Sequence, residues 1–216
     1  MFKPSHVVKS ALIALAGLGL STAALATNLV EGQHYEVIDP AVETRVDADR
    51  IEVTEAFWYG CPHCNNLQSA AKAWYETLDE DVEVIHLPAT MGGDWNTHAA
   101  VYYAAEELGI LEAVHADIFH AIHEEGRSLT ASDDIAAFFS DYGVSEDEAR
   151  QALDAFGVKA KVNQAHARMR AMQLMGVPAL IVDGRYRVTP SSAGSLENMP
   201  QIADALVDRV RQQRAE

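Results

Sequence analysis

The chain is poor in cysteine, in basic side chains and in long apolar runs. It has two cysteines in 216 residues, and 16 lysines and arginines stand against 32 aspartates and glutamates. Two cysteines exclude a scaffold held together by several disulfides. The acidic excess argues against a nucleic-acid-binding protein, which needs basic residues to neutralise phosphates. After residue 26 no segment is long and apolar enough to cross a bilayer, so we expect a soluble mature protein.

Length and composition indicate one folded domain, or one domain that carries an insertion. A chain of 216 residues can bury a substantial core without disulfides or a structural metal. Its 49% hydrophobic and 22% charged residues are close to the average for globular domains. A disordered chain is therefore not expected.

The first 26 residues have the layout of a secretory signal peptide. Lys3 and Lys9 supply a basic start, residues 11–20 are apolar, and Ala24-Leu25-Ala26 is a small-residue cleavage signal. An uncleaved membrane anchor is the alternative, but glycine and hydroxyl residues interrupt the apolar stretch, which disfavours a spanning helix. We therefore expect cleavage after Ala26 and export to a compartment where disulfides persist.

The first half of the mature chain predicts a strand, a helix and a second strand. Residues 51–59 are rich in β-branched and aromatic side chains, which favour a strand, and residues 35–38 form a possible shorter one. Apolar residues then recur at helical spacing from residue 61 to about residue 78. Residues 82–87 predict the next strand, which Pro88 ends.

A block of helical patterns follows, with glycines near the ends of several of them. These patterns cover about residues 95–108, 111–124, 132–142, 146–155 and 158–174. Ser132 and Ser145 are the predicted N-caps of two of these helices, each followed by acidic residues. Gly157 is interpreted as the end of the helix before it.

Strands return at the end of the chain. Residues 178–182 and 185–188 predict a hairpin, because Asp183-Gly184 between apolar runs suits a type I′ turn. A last helix is predicted over residues 195–214. The helical block is best interpreted as an insertion into an α/β domain, because neither flanking half has enough strands to form a domain alone.

The two cysteines lie in the run Cys61-Pro62-His63-Cys64, where the first strand passes into the helix. A disulfide across two residues closes so small a loop that it gives little entropic stabilisation. A zinc site would need about four ligands, and no second thiol pair is present, although His120 and His123 are conceivable partners. A passive local disulfide is a further alternative. Redox exchange is the interpretation that the position favours.

Helix geometry assigns different roles to the four residues of this run. A helix N-terminus stabilises a thiolate through its free N–H groups and its dipole, so Cys61 is the candidate nucleophile. Pro62 suits the first helical turn. His63 can lend positive charge or a hydrogen bond to the Cys61 sulfur. Cys64, one turn further on, is the candidate resolving thiol. A stabilised thiolate favours the reduced form, so this pattern indicates an oxidant rather than a reductant.

The run from Glu55 to Cys64, EAFWYGCPHC, closely resembles the active site of the DsbA-type periplasmic thiol:disulfide oxidoreductases of the thioredoxin superfamily. Residues 91–93 and 176–179 match further stretches of that family, and the order of elements matches across nearly all of residues 30–215. The resemblance implies a thioredoxin fold with an inserted helical domain. The expected division is a signal peptide at 1–26, the two parts of the thioredoxin-like domain at 27–92 and 166–216, and the inserted helical domain at 93–165.

The resemblance also suggests roles for residues outside the cysteine run. Pro178, after Val177, resembles the family's cis-proline, which lies beside the thiols and presents backbone to the substrate. Proline statistics alone do not predict a cis bond here. Glu55 resembles a buried acid that takes up protons as the cysteines cycle. Family members often place a lysine near that acid, but residues 84–86 contain none. His86 either takes its place or faces solvent.

By this resemblance the protein oxidises reduced, unfolded exported proteins in the periplasm and is itself re-oxidised by a quinone-linked membrane oxidase of the DsbB type. We expect a monomer with no nucleic-acid partner, no cofactor and no metal. A reductase or isomerase of the same fold, a binding module with a vestigial thiol pair and a zinc protein are the alternatives.

Most other aromatic and histidine residues are interpreted as structural. Phe57, Trp58 and Tyr59 either surround the thiols or pack in the core. Trp74 and Tyr75 are assigned to the core or to the helix surface, and the aromatic residues of the helical block to its own packing. A further group of scattered histidines is read as non-functional because no partner motif accompanies it: His98, His115, His120, His123 and His166.

Overall fold

The computed structural model describes residues 29–216, so the predicted signal peptide lies outside the described residues. The elements are β1 (Glu36–Val37), β2 (Ile51–Phe57), α1 (Pro62–Tyr75), β3 (Val82–Pro88), α2 (Asp94–Glu107), α3 (Leu111–His123), α4 (Ser132–Ser140), α5 (Glu146–Asp154), α6 (Phe156–Ala171), β4 (Ala179–Val182), β5 (Tyr186–Val188), α7 (Pro190–Ala193) and α8 (Asn198–Ala215). Among the described residues no helix is both long and apolar enough to cross a membrane.

The five strands form one mixed sheet in the order β1-β5-β4-β2-β3. β2 pairs in parallel with β3 and antiparallel with β4, and β5 pairs antiparallel with both β4 and β1. All seven residues of β2 are buried. β2 therefore lies in the interior of the protein between β4 and β3, and the chain continues from its end into the cysteine run.

Two apolar cores cover the sheet. One contains Val53 with buried side chains of α1 and α8, such as Leu67 and Val207. The other contains Phe57, both cysteines and the buried side chains of the helical block. The thiol pair thus lies where the sheet and the helical block meet.

The predicted α/β class and the order of elements are confirmed, with small changes at the ends of elements. β2 ends at Phe57 rather than at residue 59, because the chain turns there toward Cys61. α6 runs across the expected division between residues 165 and 166, so one helix joins the helical block to the second half of the sheet. The domain division itself stays a prediction.

Two local predictions were wrong. Ser132 is the first residue of α4, and Ala131 occupies the N-cap without a side-chain hydrogen bond. Gly157 lies inside α6 and does not end a helix. By contrast, Ser145 caps α5 as predicted, in a capping box with Glu148.

The predicted hairpin turn is confirmed. Asp183 and Gly184 have φ values of 54° and 61°, positive as the two central residues of a type I′ turn must be. A Cβ on Gly184 would lie 1.9 Å from the Val42 carbonyl oxygen. Glycine is therefore required here both by the backbone conformation and by the neighbouring loop.

Candidate active site

Cys61 occupies the N-cap of α1. Its backbone is extended, with φ −90° and ψ 116°, and Pro62 begins the helix. The Cys61 sulfur accepts a hydrogen bond from the Cys64 backbone N–H at 3.4 Å. The turn before it is tight, since a Cβ on Gly60 would lie 2.4 Å from the Trp58 ring. The nucleophile predicted from the sequence therefore has the helix-terminal environment that stabilises a thiolate.

The two thiols differ in environment and in acidity. Hydrogen bonds from the Cys64 side chain and from the Cys64 and His63 backbone, with the charge of His63, outweigh partial burial and lower the pKa of Cys61 to about 6. Burial raises the pKa of Cys64, and the hydrogen bond and charge of Cys61 raise it further. Cys61 is 8% exposed, whereas Cys64 is fully buried. At neutral pH this pair holds one thiolate, at Cys61, and one thiol, at Cys64.

Val177 and Pro178 lie beside the nucleophile. The peptide bond between them is cis, and the Val177 carbonyl oxygen is 3.8 Å from the Cys61 sulfur. A surface groove continues from this point, and His63, Met175 and Gly176 also line it. Met175 is 93% exposed. The structure thus places the thiolate at one end of an open groove with an exposed apolar side chain.

Glu55 lies beneath the thiols on β2 and is 1% exposed. Its carboxylate accepts hydrogen bonds from the Tyr75 hydroxyl at 2.7 Å and from the Gln68 side-chain amide at 3.3 Å. His86 Nε2 is 3.3 Å from the same carboxylate. Burial alone would raise the pKa of Glu55, but the hydrogen bond and charge of His86, with the Tyr75 hydroxyl, hold it below its ordinary value. His86, left open between two roles by the sequence, contacts the acid.

Sequence reasoning missed three residues of this buried network. Gln68 and Tyr75 contact Glu55 directly, and His115 accepts or donates a 2.8 Å hydrogen bond with the Tyr59 hydroxyl. A signal for the first two was present, because positions 64, 68 and 75 lie on one face of a helix at 100° per residue. His115 comes from the helical block, and no local pattern indicates its position.

Helices of the block also fix the segment between β2 and Cys61. His123 Nε2 hydrogen-bonds the Tyr59 carbonyl oxygen at 2.8 Å. The Trp58 and Trp95 rings stack with centroids 4.1 Å apart. His115 and His123, interpreted from the sequence as non-functional, both contact Tyr59 of the segment that leads to Cys61. His120, in contrast, is exposed, and its Nδ1 lies 3.4 Å from the Glu125 carboxylate.

The structure brings together every site residue that the sequence indicated. Cys61, Pro62, His63 and Cys64 form the first turn of α1, with residues 177–178 beside them and Glu55 below. Within residues 29–216, no group of three or more histidine, cysteine, aspartate or glutamate side chains is placed to hold a metal ion. The arrangement of the two thiols can carry out thiol–disulfide exchange.

Comparison with known proteins finds relatives that are thiol:disulfide interchange proteins. Residues 76–207, which begin after the cysteine run, match the model of a DSBA-like thioredoxin domain. The chain is 37% identical over 205 residues to the thiol:disulfide interchange protein DsbA of Pseudomonas syringae pv. tomato, covering 95% of both chains. It is 40% identical to that of Azotobacter vinelandii over 162 residues, covering 75% of this chain and 76% of the relative.

Crystal structures of DsbA proteins are also similar to the structure of this chain. The crystal structure of Pseudomonas aeruginosa DsbA superposes with a TM-score of 0.81 at 34% identity, covering 86% of this chain and 96% of that one. The oxidoreductase DsbA from Xylella fastidiosa gives a TM-score of 0.80 at 34% identity, over 85% of this chain and 98% of that one. The similarity extends over nearly the whole of both molecules.

Proposed function

The chain belongs to the DsbA family of thiol:disulfide oxidoreductases, and we propose that it introduces disulfide bonds into exported proteins through a Cys61–Cys64 disulfide. The observation that carries this proposal is the position of the Cys61 sulfur. It lies at the N-cap of α1, accepts the Cys64 N–H and is 3.8 Å from the Val177 carbonyl oxygen. A sulfur in this position is activated and can be reached from the groove.

The reaction is two successive exchanges. A substrate thiolate attacks the Cys61 sulfur of the oxidised protein, the bond to Cys64 breaks, and Cys64 leaves with the electron pair. A second substrate thiolate then attacks the substrate sulfur of the mixed disulfide and releases Cys61 as a thiolate. The substrate is oxidised by two electrons and the pair is reduced by two. Attack at Cys61 is favoured over attack at Cys64, which is fully buried.

The acidity of Cys61 sets the direction of exchange. Its pKa is lowered to about 6, so the reduced protein is stabilised as a thiolate at neutral pH. Stabilising the reduced form makes the disulfide form the stronger oxidant. This favours donation of the disulfide to substrates over the reductase or isomerase alternative.

The groove beside Cys61 supports binding of an extended, unfolded segment. Main-chain groups at Val177 and Pro178 can hydrogen-bond a substrate backbone without reading its sequence. Met175, 93% exposed on the same groove, offers a flexible apolar contact. Substrate choice then depends on an accessible thiol and an extended chain, and not on particular side chains.

Glu55 completes the proposed machinery as the group that exchanges a proton with Cys64. The leaving Cys64 thiolate is buried, and the charge of Glu55 contributes to its raised pKa. It must therefore be protonated as it forms and deprotonated again on re-oxidation. A buried carboxylate in electrostatic contact with the sulfur can serve both steps.

The cellular setting that fits this chemistry is the periplasm. The predicted signal peptide would bring the protein there as a monomer, where reduced exported proteins are its substrates. A quinone-linked membrane oxidase of the DsbB type would restore the Cys61–Cys64 disulfide. These assignments follow from the family and from the sequence of residues 1–26.

Refolding of a reduced, unfolded test protein by the oxidised protein tests the proposal. Wild type should form the disulfides and Cys61→Ser should form none. Cys64→Ser, first converted by oxidised glutathione to the mixed disulfide between Cys61 and glutathione, should release glutathione to a test peptide that has a single cysteine and should stop at the mixed disulfide between that peptide and Cys61. Equilibration of the wild-type pair with glutathione gives the potential. Transfer that persists in Cys61→Ser, or a potential near the reducing value of about −270 mV typical of thioredoxin, would contradict the proposal.

A further inference from the structure

The wall of the groove beside Cys61, residues 175–178, is a loop that is held mainly at its ends. It follows α6, which ends at Ala171, and leads into β4, which begins at Ala179. Among residues 29–216, the backbone of residues 175–177 forms no hydrogen bond to another backbone group. The position of the groove wall therefore depends on β4 and on the contacts that hold the chain where it leaves α6.

Arg187 of β5 holds the chain at the end of α6. Its Nη1 donates to the Gln173 carbonyl oxygen at 2.5 Å and to the Met172 carbonyl oxygen at 3.2 Å. The last carbonyl groups of a helix have no partner within the helix, and an arginine side chain can satisfy them. Gln173 has a φ of 54°, in the left-handed region that residues other than glycine seldom adopt. The two bonds to Arg187 therefore stabilise an uncommon backbone conformation two residues before the groove wall.

Glu36 holds the Arg187 guanidinium on its other side. The two residues are direct partners across the ladder of β1 and β5. The Glu36 carboxylate accepts from Nε at 2.9 Å and also from Nη2. The Arg187 side chain is 18% exposed and lines the same groove as Met175 and Pro178. All three guanidinium nitrogens are bonded, which restricts the side chain to one geometry.

The acidity of Cys61 does not depend on this arrangement. The groups that lower the pKa of Cys61 are Cys64 and His63, which belong to the first turn of α1. Displacement of the groove wall should therefore weaken the binding of an extended substrate and leave the thiolate as it is. The two effects can be measured separately.

We propose that Arg187 is a positioning residue for protein substrates, which fixes the groove wall beside Cys61 by binding the two carbonyl groups at the end of α6. This inference rests on the proposed function and deepens it. Arg187 acts through the groove wall, whose main-chain groups at Val177 and Pro178 are the proposed contacts of an extended chain. When the wall leaves this position, only a fraction of the molecules is ready to bind, and the apparent affinity falls by that fraction.

Two reductants of the oxidised protein test this inference. One is a reduced dithiol peptide, which extends along the groove, and the other is dithiothreitol, which has no peptide backbone. The second-order rate constant of each is measured for wild type and for Arg187→Met, which removes both carbonyl bonds and the ion pair. Arg185→Met is the matched control, because it removes the same charge from an exposed arginine of the same hairpin. Thiolate absorbance against pH gives the pKa of Cys61 in each variant.

We expect Arg187→Met to react with the peptide about tenfold more slowly than wild type, the factor that corresponds to the loss of a hydrogen bond to a charged group. Its rate with dithiothreitol and the pKa of Cys61 should equal those of wild type. Arg187→Lys keeps the charge but not the fork of donors and should be slowed less. Arg185→Met should match wild type with both reductants.

A peptide rate of folded Arg187→Met that equals the wild-type rate overturns the inference. An equal loss in Arg185→Met, or an equal loss with dithiothreitol, also overturns it. If Arg187→Met does not fold, Arg187→Lys and Glu36→Gln replace it, since Glu36→Gln weakens the hold on the guanidinium and leaves both carbonyl bonds possible. Slower reaction of these two variants with the peptide alone supports the inference, and wild-type rates in both overturn it. Loss of transfer by wild type itself would overturn the proposed function instead.

Discussion

Strand β2 carries two buried glutamates whose surroundings differ. Glu52 is fully buried and forms an ion pair with Arg168 of α6, itself 9% exposed. The Thr54 hydroxyl donates to Glu52 at 2.5 Å and the Arg45 backbone N–H at 2.6 Å. Glu52 is therefore paired with a guanidinium, a hydroxyl and a backbone N–H inside the protein.

Glu55 is three residues further along and faces the opposite side of the sheet. Two of its donors, Tyr75 and Gln68, are uncharged, and its third contact is His86, which solvent reaches. Burial alone would raise the pKa of Glu55, but the hydrogen bond and charge of His86, with the Tyr75 hydroxyl, hold it below its ordinary value.

The difference shows that burial of an acid does not by itself indicate function. Glu52 connects β2 to α6 through its ion pair with Arg168, so its contribution is structural. Glu55, the acid proposed to exchange a proton with Cys64, contacts a histidine and has no arginine partner. The two acids therefore differ in the partner beside each of them, and not in burial.

The largest expected effect on stability concerns Glu52, which forms the ion pair with Arg168. Arg168→Met leaves Glu52 charged and unpaired in the interior, which should lower the free energy of unfolding by about 3–5 kcal/mol. Arg150→Met, at an exposed cluster of ion pairs on α5, should lower the free energy of unfolding far less, because solvent screens those pairs. Urea unfolding of both variants measures the difference.

A second substitution tests whether the loss of stability comes from the unpaired charge of Glu52. Adding Glu52→Gln to Arg168→Met removes the unpaired charge, and the amide oxygen can still accept from Thr54. We expect the double variant to regain most of the lost stability, because the penalty comes from the isolated charge. Equal stability of the single and double variants would show that Arg168 acts by packing alone.

An intermediate effect is expected for Tyr75→Phe. This change removes the 2.7 Å hydrogen bond to Glu55 and should cost about 1.5–3 kcal/mol, the usual value for a bond to a charged group. Tyr142→Phe removes a bond of the same length to exposed Asp117 and should change stability by less than about 0.5 kcal/mol. Similar losses in both variants would argue against a special role for the Glu55 network.

The smallest change in stability is expected for Glu55→Gln. The pKa of Glu55 lies below its ordinary value of 4.5, so its ionised form contributes stability above that pH and loses the contribution as the pH falls further. We expect Glu55→Gln to lose less than about 1 kcal/mol at neutral pH and nothing in strong acid. Disulfide transfer should slow about tenfold or more, since a proton-exchange group is removed. Denaturation curves at several pH values, with transfer rates on the same samples, measure both effects.

Local patterns in the sequence predicted most of the fold and the reacting groups. Helical and strand periodicity placed the main elements within a few residues, and the CPHC run placed Cys61 at a helix N-terminus. The Ser132 cap was misplaced by one residue because Ala131 and Ser132 both precede an apolar-periodic run and capping depends on backbone geometry. Local patterns report short-range preferences, so they identify elements better than their ends.

The surroundings of Glu55 could be predicted only in part. Tyr75 lies on the helix face of Cys64 and could have been found from spacing, but His115 reaches the site from a separate helix in the block. The contact of His86 with Glu55 depends on the register of β3 against β2, which pairs these two residues directly. Strand register and helix docking are long-range properties, which a single sequence does not contain as a local signal.

The titration of the reduced protein tests the central claim most directly. Ultraviolet absorbance of the thiolate, followed against pH, should show one group ionising at a pKa of about 6, which Cys61→Ser removes, and no second thiolate from Cys64 at neutral or moderately alkaline pH. Because the pKa of Cys61 is lowered on folding, its stabilisation of the reduced form is present above its ordinary value of 9.0 and is lost as the pH falls through about 6. Two thiols that ionise together near the ordinary pKa of 9.0 would contradict the account.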